Sequence, residues 1–211
     1  EIGQPLHAFD SKKINKGIIV KKIKKKKKFK TLDGIERELD QNDLMICDHK
    51  KPLCIAGVIG GEESAVGDKT KDIFLESACF NSVSVRKSAK KFGLNTDASF
   101  RFERGVDPEI GIYAIKRAAI LIQELAGGDL GQITSFKNEK DKKEVILKFN
   151  YINKLVGQKI EKNQIIEILT SLDMTIDKIG QDAIKVNVPR YRVDVNRPAD
   201  LIEEILRIYG Y

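Results

Sequence analysis

Tryptophan is absent from the 211 residues, and histidine (two), cysteine (three) and proline (five) are scarce. Cys47, Cys54 and Cys79 are odd in number, with no Cys-x-x-Cys pair and no Cys/His finger spacing. That argues against a disulfide scaffold or a zinc site and suits a reducing compartment. No apolar run approaches the roughly 18 residues of a membrane span, so a soluble protein is expected. No basic segment leading into an apolar core opens the chain, so no signal peptide is visible. Neither a P-loop nor a GxGxxG fingerprint is present. No Ser/His/Asp or Cys/His set is evident, which argues against covalent catalysis.

What is abundant is lysine, and it is unevenly spread. The chain nets +7, from 38 Lys+Arg against 31 Asp+Glu. Residues 1–30 hold eleven lysines and two acids, Glu1 and Asp10, a local +9 that leaves the remaining 181 residues at −2. Eight lysines fall within Lys21–Lys30. Such a run either attracts RNA phosphates or protects an exposed strand edge from pairing. No Tyr or Trp interleaves it, which disfavours a stacking platform and favours the solvated edge.

Apolar runs and turn residues divide the chain. Ile18-Ile19-Val20 opens a strand, and Asp33-Gly34 signals a hairpin turn. Leu44–Cys47 and Ile55–Ile59 have the length of buried strands, the second ended by Gly60-Gly61, which permits backbone angles other residues avoid. Asn81 or Ser82 caps a helix running to about Phe92, with Gly93 as its stop. Asp107-Pro108 predicts an N-cap with proline in the first helical position, followed by a helix burying Ile112, Ile115, Ala119 and Ile122. Residues 137–144 contain no large apolar residue and read as a linker. Beyond it the pattern predicts a strand at Val145–Phe149, a short helix capped by Asn150, a helix at about Asn163–Leu172, strands near Thr175–Asp177 and Ala183–Val188, and a last helix from about Pro198. The abrupt start and finish suggest an excerpt from a longer protein.

Several groups of residues can carry chemistry. His7, in GQPLHAFD, either orients water or a ribose hydroxyl or simply satisfies a backbone carbonyl. IAGVIGGEESAV ends a strand in Gly-Gly, which either lets a ligand approach the backbone or makes a tight turn. Glu76 sits in the apolar stretch FLESACF, where a carboxylate needs an ion-pair partner, such as an Arg from 101–104, or a polar ligand. In TDASFRFERGVDP, Arg101 and Arg104 reach phosphate or pair with Glu103 and Asp107. Asp200, Glu203 and Glu204 fall at i, i+3 and i+4 on the last helix, with Asp194 in the loop before it. Four converging carboxylates suit Mg²⁺. Acids in a first helical turn, neutralised by Arg192 and Arg197, explain the same pattern without a metal.

Together these motifs resemble the β chain of bacterial phenylalanine–tRNA ligase. GQPLHAFD, IAGVIGG, FLESACF and TDASFRFERGVDP stand in the order of that family's B3/B4 editing module. RYRVDVNRPADLIEEILRIYGY resembles the end of its B5 domain. The resemblance covers essentially the whole chain. It implies an α+β fold: a mixed-sheet B3/B4 editing domain over 1–138, N-terminally truncated, a linker at 139–143, and a small winged-helix-like B5 domain over 144–211. The family's upstream tRNA-binding domain and its downstream catalytic-like and anticodon-binding domains lie outside the stretch.

The function implied is that of a cytoplasmic α2β2 ligase, with no membrane partner, attaching phenylalanine to tRNA(Phe) with ATP. ATP is used by the whole enzyme and is not bound by this part. The B3/B4 module would hydrolyse tyrosine misattached to that tRNA, a step needed because an apolar pocket rejects an added hydroxyl only about 100-fold. By resemblance, Glu76 recognises the tyrosine phenol, Gly60 and Ala98 shape the pocket, Thr96 lines it, and His7 positions water near the terminal adenosine and the ester. Asp194, Asp200, Glu203 and Glu204 match Mg²⁺ positions shared with the α chain. Phe100 departs from the family, many members of which carry His or Tyr there, and the lysine run matches no family motif. The alternative is a non-catalytic module that binds RNA or partner subunits.

Overall fold

The computed structural model describes residues 2–136 and 143–211. The chain forms two compact units, Glu1–Thr134 and Ser135–Tyr211. Among the described residues no helix is long and apolar enough to cross a membrane.

In the first unit, strand β1 (Leu6–Asp10) precedes β2 (Ile19–Lys22), β3 (Lys27–Lys30), β4 (Glu36–Leu39), β5 (Leu44–Cys47), β6 (Pro52–Ile55), the short β7 (Ile59–Gly60) and β8 (Ile73–Ser77). Helices α1 (Ser82–Phe92), α2 (Asp97–Arg104) and α3 (Gly111–Ala126) follow. Strands β2-β5-β6-β7 form a four-stranded sheet, β3 and β4 a hairpin, and β1 and β8 a separate ribbon. The expected mixed sheet resolves, among the described residues, into antiparallel pairs throughout. Short turns join most neighbouring strands, and an antiparallel pair needs no crossover helix.

Local chemistry explains the punctuation. Gly34 takes φ +77° in the β3–β4 turn. Arg37 forks onto the Asp33 carboxylate at 2.7 and 2.8 Å and also meets the Thr31 hydroxyl, locking the turn's register. The Asn81 side chain accepts from the Ser84 amide at 3.0 Å, and Gly93 ends α1 with φ +63°. Thr96 and Ser99 cap α2 reciprocally at 3.1 and 3.0 Å. The solvated-edge reading of the lysine run fits: β2 is an outer strand, and Lys26, Lys28 and Lys30 pair with Glu38, Glu36 and Glu62 at 2.6–2.8 Å.

Three expectations need correction. The Ile55–Ile59 run is not one strand but the turn of a tight hairpin between β6 and β7. Gly57 turns the chain with φ +69°, and a Cβ there would lie 3.0 Å from each of Phe102, Phe80 and Val85. Gly60 and Gly61 do not take positive φ; they are small because other groups crowd them. Asp107 accepts from the Glu109 amide at 2.8 Å, but it caps only a turn, and α3 starts at Gly111. Ile112, Ile115, Ala119 and Ile122 are half-buried, and Ala114 alone on α3 is fully buried. The sheet, α1 and α2 enclose the main core instead, around Leu39, Met45, Ile55, Val85 and Phe102.

The second unit contains β9 (Glu144–Lys148), α4 (Phe149–Val156), α5 (Lys162–Ser171), β10 (Thr175–Ile179), β11 (Ala183–Asn187) and α6 (Pro198–Tyr209). Its antiparallel sheet runs β10-β11-β9, giving the winged-helix-like arrangement of helices and a β-hairpin. Leu147, Ile152, Leu169, Met174, Val186 and Ile205 are among its core residues. Asn150 does not cap α4. The helix leaves β9 directly at Phe149, whose ring is buried in the core and whose amide still donates to Asp182 across the sheet at 3.0 Å. The expected linker lies outside the described residues, except for Lys143. Its carbonyl accepts from the Val188 amide at 2.9 Å, which ties it to the second unit.

Candidate functional site

The β1–β8 ribbon sets His7 directly opposite Glu76 in register. Directly opposed residues of an antiparallel pair point to the same face, with Cβ atoms about 4.5–5.5 Å apart. That face meets the β6–β7 hairpin: a Cβ at Gly60 would stand 2.5 Å from His7 Cε1, 2.8 Å from its Nε2 and 3.0 Å from Leu32 Cδ1. Glycine is required there by space, because a methyl group would displace the imidazole. Residues 69 positions apart are thus gathered by strand pairing and one close approach.

Thr96 and Ala98 reach the same hairpin from α2. The Thr96 hydroxyl donates to the Val58 carbonyl at 2.7 Å, and Ala98 packs into the cluster that contains Val58, Ile59 and Phe102. Thr96 therefore has two tasks, since it also caps α2.

Electrostatics mark the two central side chains. Burial pushes the Glu76 carboxyl up to about 7. Among the described residues no hydrogen bond or ion pair reaches it. Arg104 instead pairs with Glu103 at 2.7 Å and lies 3.6 Å from the centroid of the Phe100 ring. Burial lowers the His7 pKa, so its imidazole is neutral near pH 7, with one nitrogen to donate and one to accept. Burial also pushes the Cys54 thiol well up, with the nearby Glu76 charge adding to the effect, so this sulfur is a poor nucleophile. The arrangement can hold a polar ligand group between a carboxyl and an imidazole.

Other residues support the ribbon and carried no assigned role in the sequence. Gln4 donates to the Ala78 carbonyl at 2.8 Å, joining the start of β1 to the end of β8. Gln4 Oε1 and Ser77 Oγ are buried without a partner. Cys54 stands opposite Gly60 in register. The Leu32 amide donates to the Gly60 carbonyl at 3.0 Å. Partners this distant in sequence leave no local spacing signal.

The four acids of the second unit are not brought together. Asp194 pairs with Arg192 at 2.7 Å. Glu204, buried, accepts from Arg192 and Arg207 at 2.9 and 2.8 Å. Asp200 accepts from Arg197 and from the Asn196 and Arg197 amides at 2.8–2.9 Å, capping α6. Glu203 is exposed. Among the described residues no group of three or more His, Cys, Asp or Glu side chains is set to hold a metal. Arginine neutralisation accounts for three of the four acids as they stand in this chain by itself.

The comparisons with known proteins follow the same division. Residues 1–127 match the B3/4 domain family and residues 145–211 the tRNA synthetase B5 domain, so the chain belongs to the B3/4 domain family and carries a B5 domain behind it. The particular proteins it resembles are phenylalanine–tRNA ligase beta subunits, as the motifs suggested. It is 51% identical over 215 residues to that of Porphyromonas gingivalis and 48% over 212 to that of Bacteroides fragilis, matching 100% and 99% of this chain but 26% of each relative. It is 41% identical over 215 residues to the Pseudomonas putida subunit, covering all of this chain and 27% of that one. The chain thus spans about a quarter of the length of these curated relatives. An N-terminal fragment of the phenylalanyl-tRNA synthetase beta subunit from Pyrococcus horikoshii has the same fold, with TM-score 0.50 and 19% identity, over 98% of this chain and 60% of that one.

Proposed function

We propose that the His7–Glu76–Gly60 constellation is the editing site of a phenylalanine–tRNA ligase beta subunit, hydrolysing tyrosine misattached to tRNA(Phe). The observation that carries this reading is Glu76, a half-buried carboxyl with no partner among the described residues, set across from a neutral histidine. A carboxyl in that setting is completed by a phenol: tyrosine satisfies it, and phenylalanine leaves it unpaired. Gly60 gives the His7 imidazole its place, Ala98 helps shape the space for the ring, and Thr96 holds the hairpin that lines it. His7 accepts a hydrogen bond from a water, whose oxygen attacks the ester carbonyl. The acyl C–O bond then breaks, the proton lost by the attacking water passes to the departing ribose oxygen to give the tRNA hydroxyl, and tyrosine leaves as the free acid.

The parent enzyme in this reading is an ATP-dependent aminoacyl-tRNA ligase of the cytoplasm, assembled with an α chain as α2β2, and its α chain holds the aminoacylation site. Mg²⁺ at Asp194, Asp200, Glu203 and Glu204 belongs to the same reading as a site completed by the α chain. Calorimetry tests it: the 211-residue chain alone is expected to give no Mg²⁺ signal and the αβ enzyme a signal that Asp200→Ala abolishes. Equal Mg²⁺ binding by the wild-type and Asp200→Ala enzymes would return the acids to their arginine partners.

The editing reading is tested by soaking tyrosine into crystals of the enzyme. The expected result is the phenol oxygen against the Glu76 carboxyl. A tyrosine bound with its phenol elsewhere, or phenylalanine bound as tightly, would count against it.

A further inference from the structure

Five lysines of the run, Lys21, Lys22, Lys24, Lys25 and Lys27, are exposed and have no ion-pair partner among the described residues. They lie along β2, on the turn after it and at the start of β3. Arg86, Lys87 and Lys90 are likewise exposed and unpaired on α1. Lys22 and Lys87 line one groove between these elements, together with the neutral hydrogen-bonding side chains of Asn42, Asn81 and Ser84. The acids in that groove are already engaged: Lys91 pairs with Asp40 at 2.8 Å and with Asp43 at 2.6 Å. They do not neutralise the free lysines around them. Strand protection alone explains lysines on β2, but it gives no reason for unpaired cations on the helix across the groove.

The basic surface is also connected to the His7–Glu76 constellation. The β3–β4 hairpin carries Lys27 at its base and Leu32 near its tip, and the Leu32 amide donates to the Gly60 carbonyl at 3.0 Å. Strand rise puts base and tip roughly 15 Å apart. The one aromatic of the run, Phe29, is buried in the core and offers no face for stacking.

We propose that the β2 edge, the β2–β3 turn and the outer face of α1 form a binding surface for the phosphodiester backbone of RNA. Recognition here is electrostatic and independent of base sequence, because the surface offers ammonium groups and no stacking platform. The proposal does not depend on the chemistry of Glu76; it takes from the editing reading only the choice of tRNA as probe.

The test is filter binding of uncharged tRNA by the intact αβ enzyme over a salt series. The five-site variant K21Q/K22Q/K24Q/K25Q/K27Q is compared with K69Q/K71Q, which removes exposed charge outside this surface. Each phosphate contact contributes about 0.7–0.9 to the slope of log K against log salt, so the five-site variant is expected to flatten the slope by roughly 2–4. Affinity near 0.1 M salt should fall at least about tenfold, while K69Q/K71Q stays near wild type. R86Q/K87Q/K90Q should act in the same direction and decides the matter should the five-site variant misfold. A slope equal to that of K69Q/K71Q would overturn the proposal. Loss of subunit association with an unchanged slope would also overturn it, assigning the surface to a protein partner. E76A keeps the wild-type slope whether or not it alters tyrosine discrimination, so the two claims fail separately.

Discussion

At Glu76, partial removal from water raises the carboxyl to about 7, against an ordinary value near 4.5. A folded-state pKa raised in this way stabilises the fold at low pH, and that contribution is lost as pH rises through the folded value. Glu76→Gln removes the titration. The variant is therefore expected to gain stability relative to wild type between pH 5 and 8, by up to about 3 kcal/mol, in urea unfolding. A stability difference that does not change with pH would contradict the burial of this group. Gly60→Ala tests the neighbouring contact. Its methyl would meet the His7 ring at 2.5 Å, so it should cost about 1–3 kcal/mol and reduce tyrosyl-tRNA hydrolysis at least tenfold. Unchanged hydrolysis would mean that His7 is not held where the structure puts it. The sequence made His7, Gly60 and Glu76 noticeable singly. It did not make their contact noticeable, because that depends on the β1–β8 register between segments about 70 residues apart.

At the scale of elements, turn and cap chemistry was the legible part. Asn81, Gly93, Asp33-Gly34 and Pro198 mark ends and turns through contacts within a few residues, and the structure uses each of them. Illegible were the places where tertiary packing decided. Ile55–Ile59 looks like a strand because it is apolar, but Gly57 with its φ of +69° folds it into a hairpin beneath Phe102 and Phe80. Gly57→Ala combines an unfavourable backbone with three contacts at 3.0 Å, and about 2–4 kcal/mol of destabilisation is expected in thermal or urea unfolding. A neutral effect would show that the turn relaxes freely. In the second unit, Glu204→Ala leaves the partly buried Arg192 with Asp194 alone and frees Arg207. It should destabilise that unit by about 2–4 kcal/mol. Asp200, which hydrogen bonds hold down at about 2, stabilises the start of α6 above pH 4, and that stability is lost as pH falls toward 2.

For the whole molecule, the net charge of +7 is the sum of a local +9 and a slightly acidic remainder. Among the described residues the His7–Glu76 site contains no unpaired cation, whereas exposed lysines without an ion-pair partner gather on β2, the turn after it and α1. Family membership rests on the ordered motifs and not on the charge, and the B3/4 and B5 matches follow the order those motifs suggested. The central claim is that a half-buried carboxyl without a partner among the described residues reads the tyrosine phenol. The measurement that tests it most directly is hydrolysis of Tyr-tRNA(Phe) and Phe-tRNA(Phe), side by side, by the αβ enzyme and its Glu76→Ala variant. The account predicts that the variant loses most of its preference for the tyrosyl ester, with tRNA binding unchanged. Discrimination equal to that of the wild-type enzyme would contradict it.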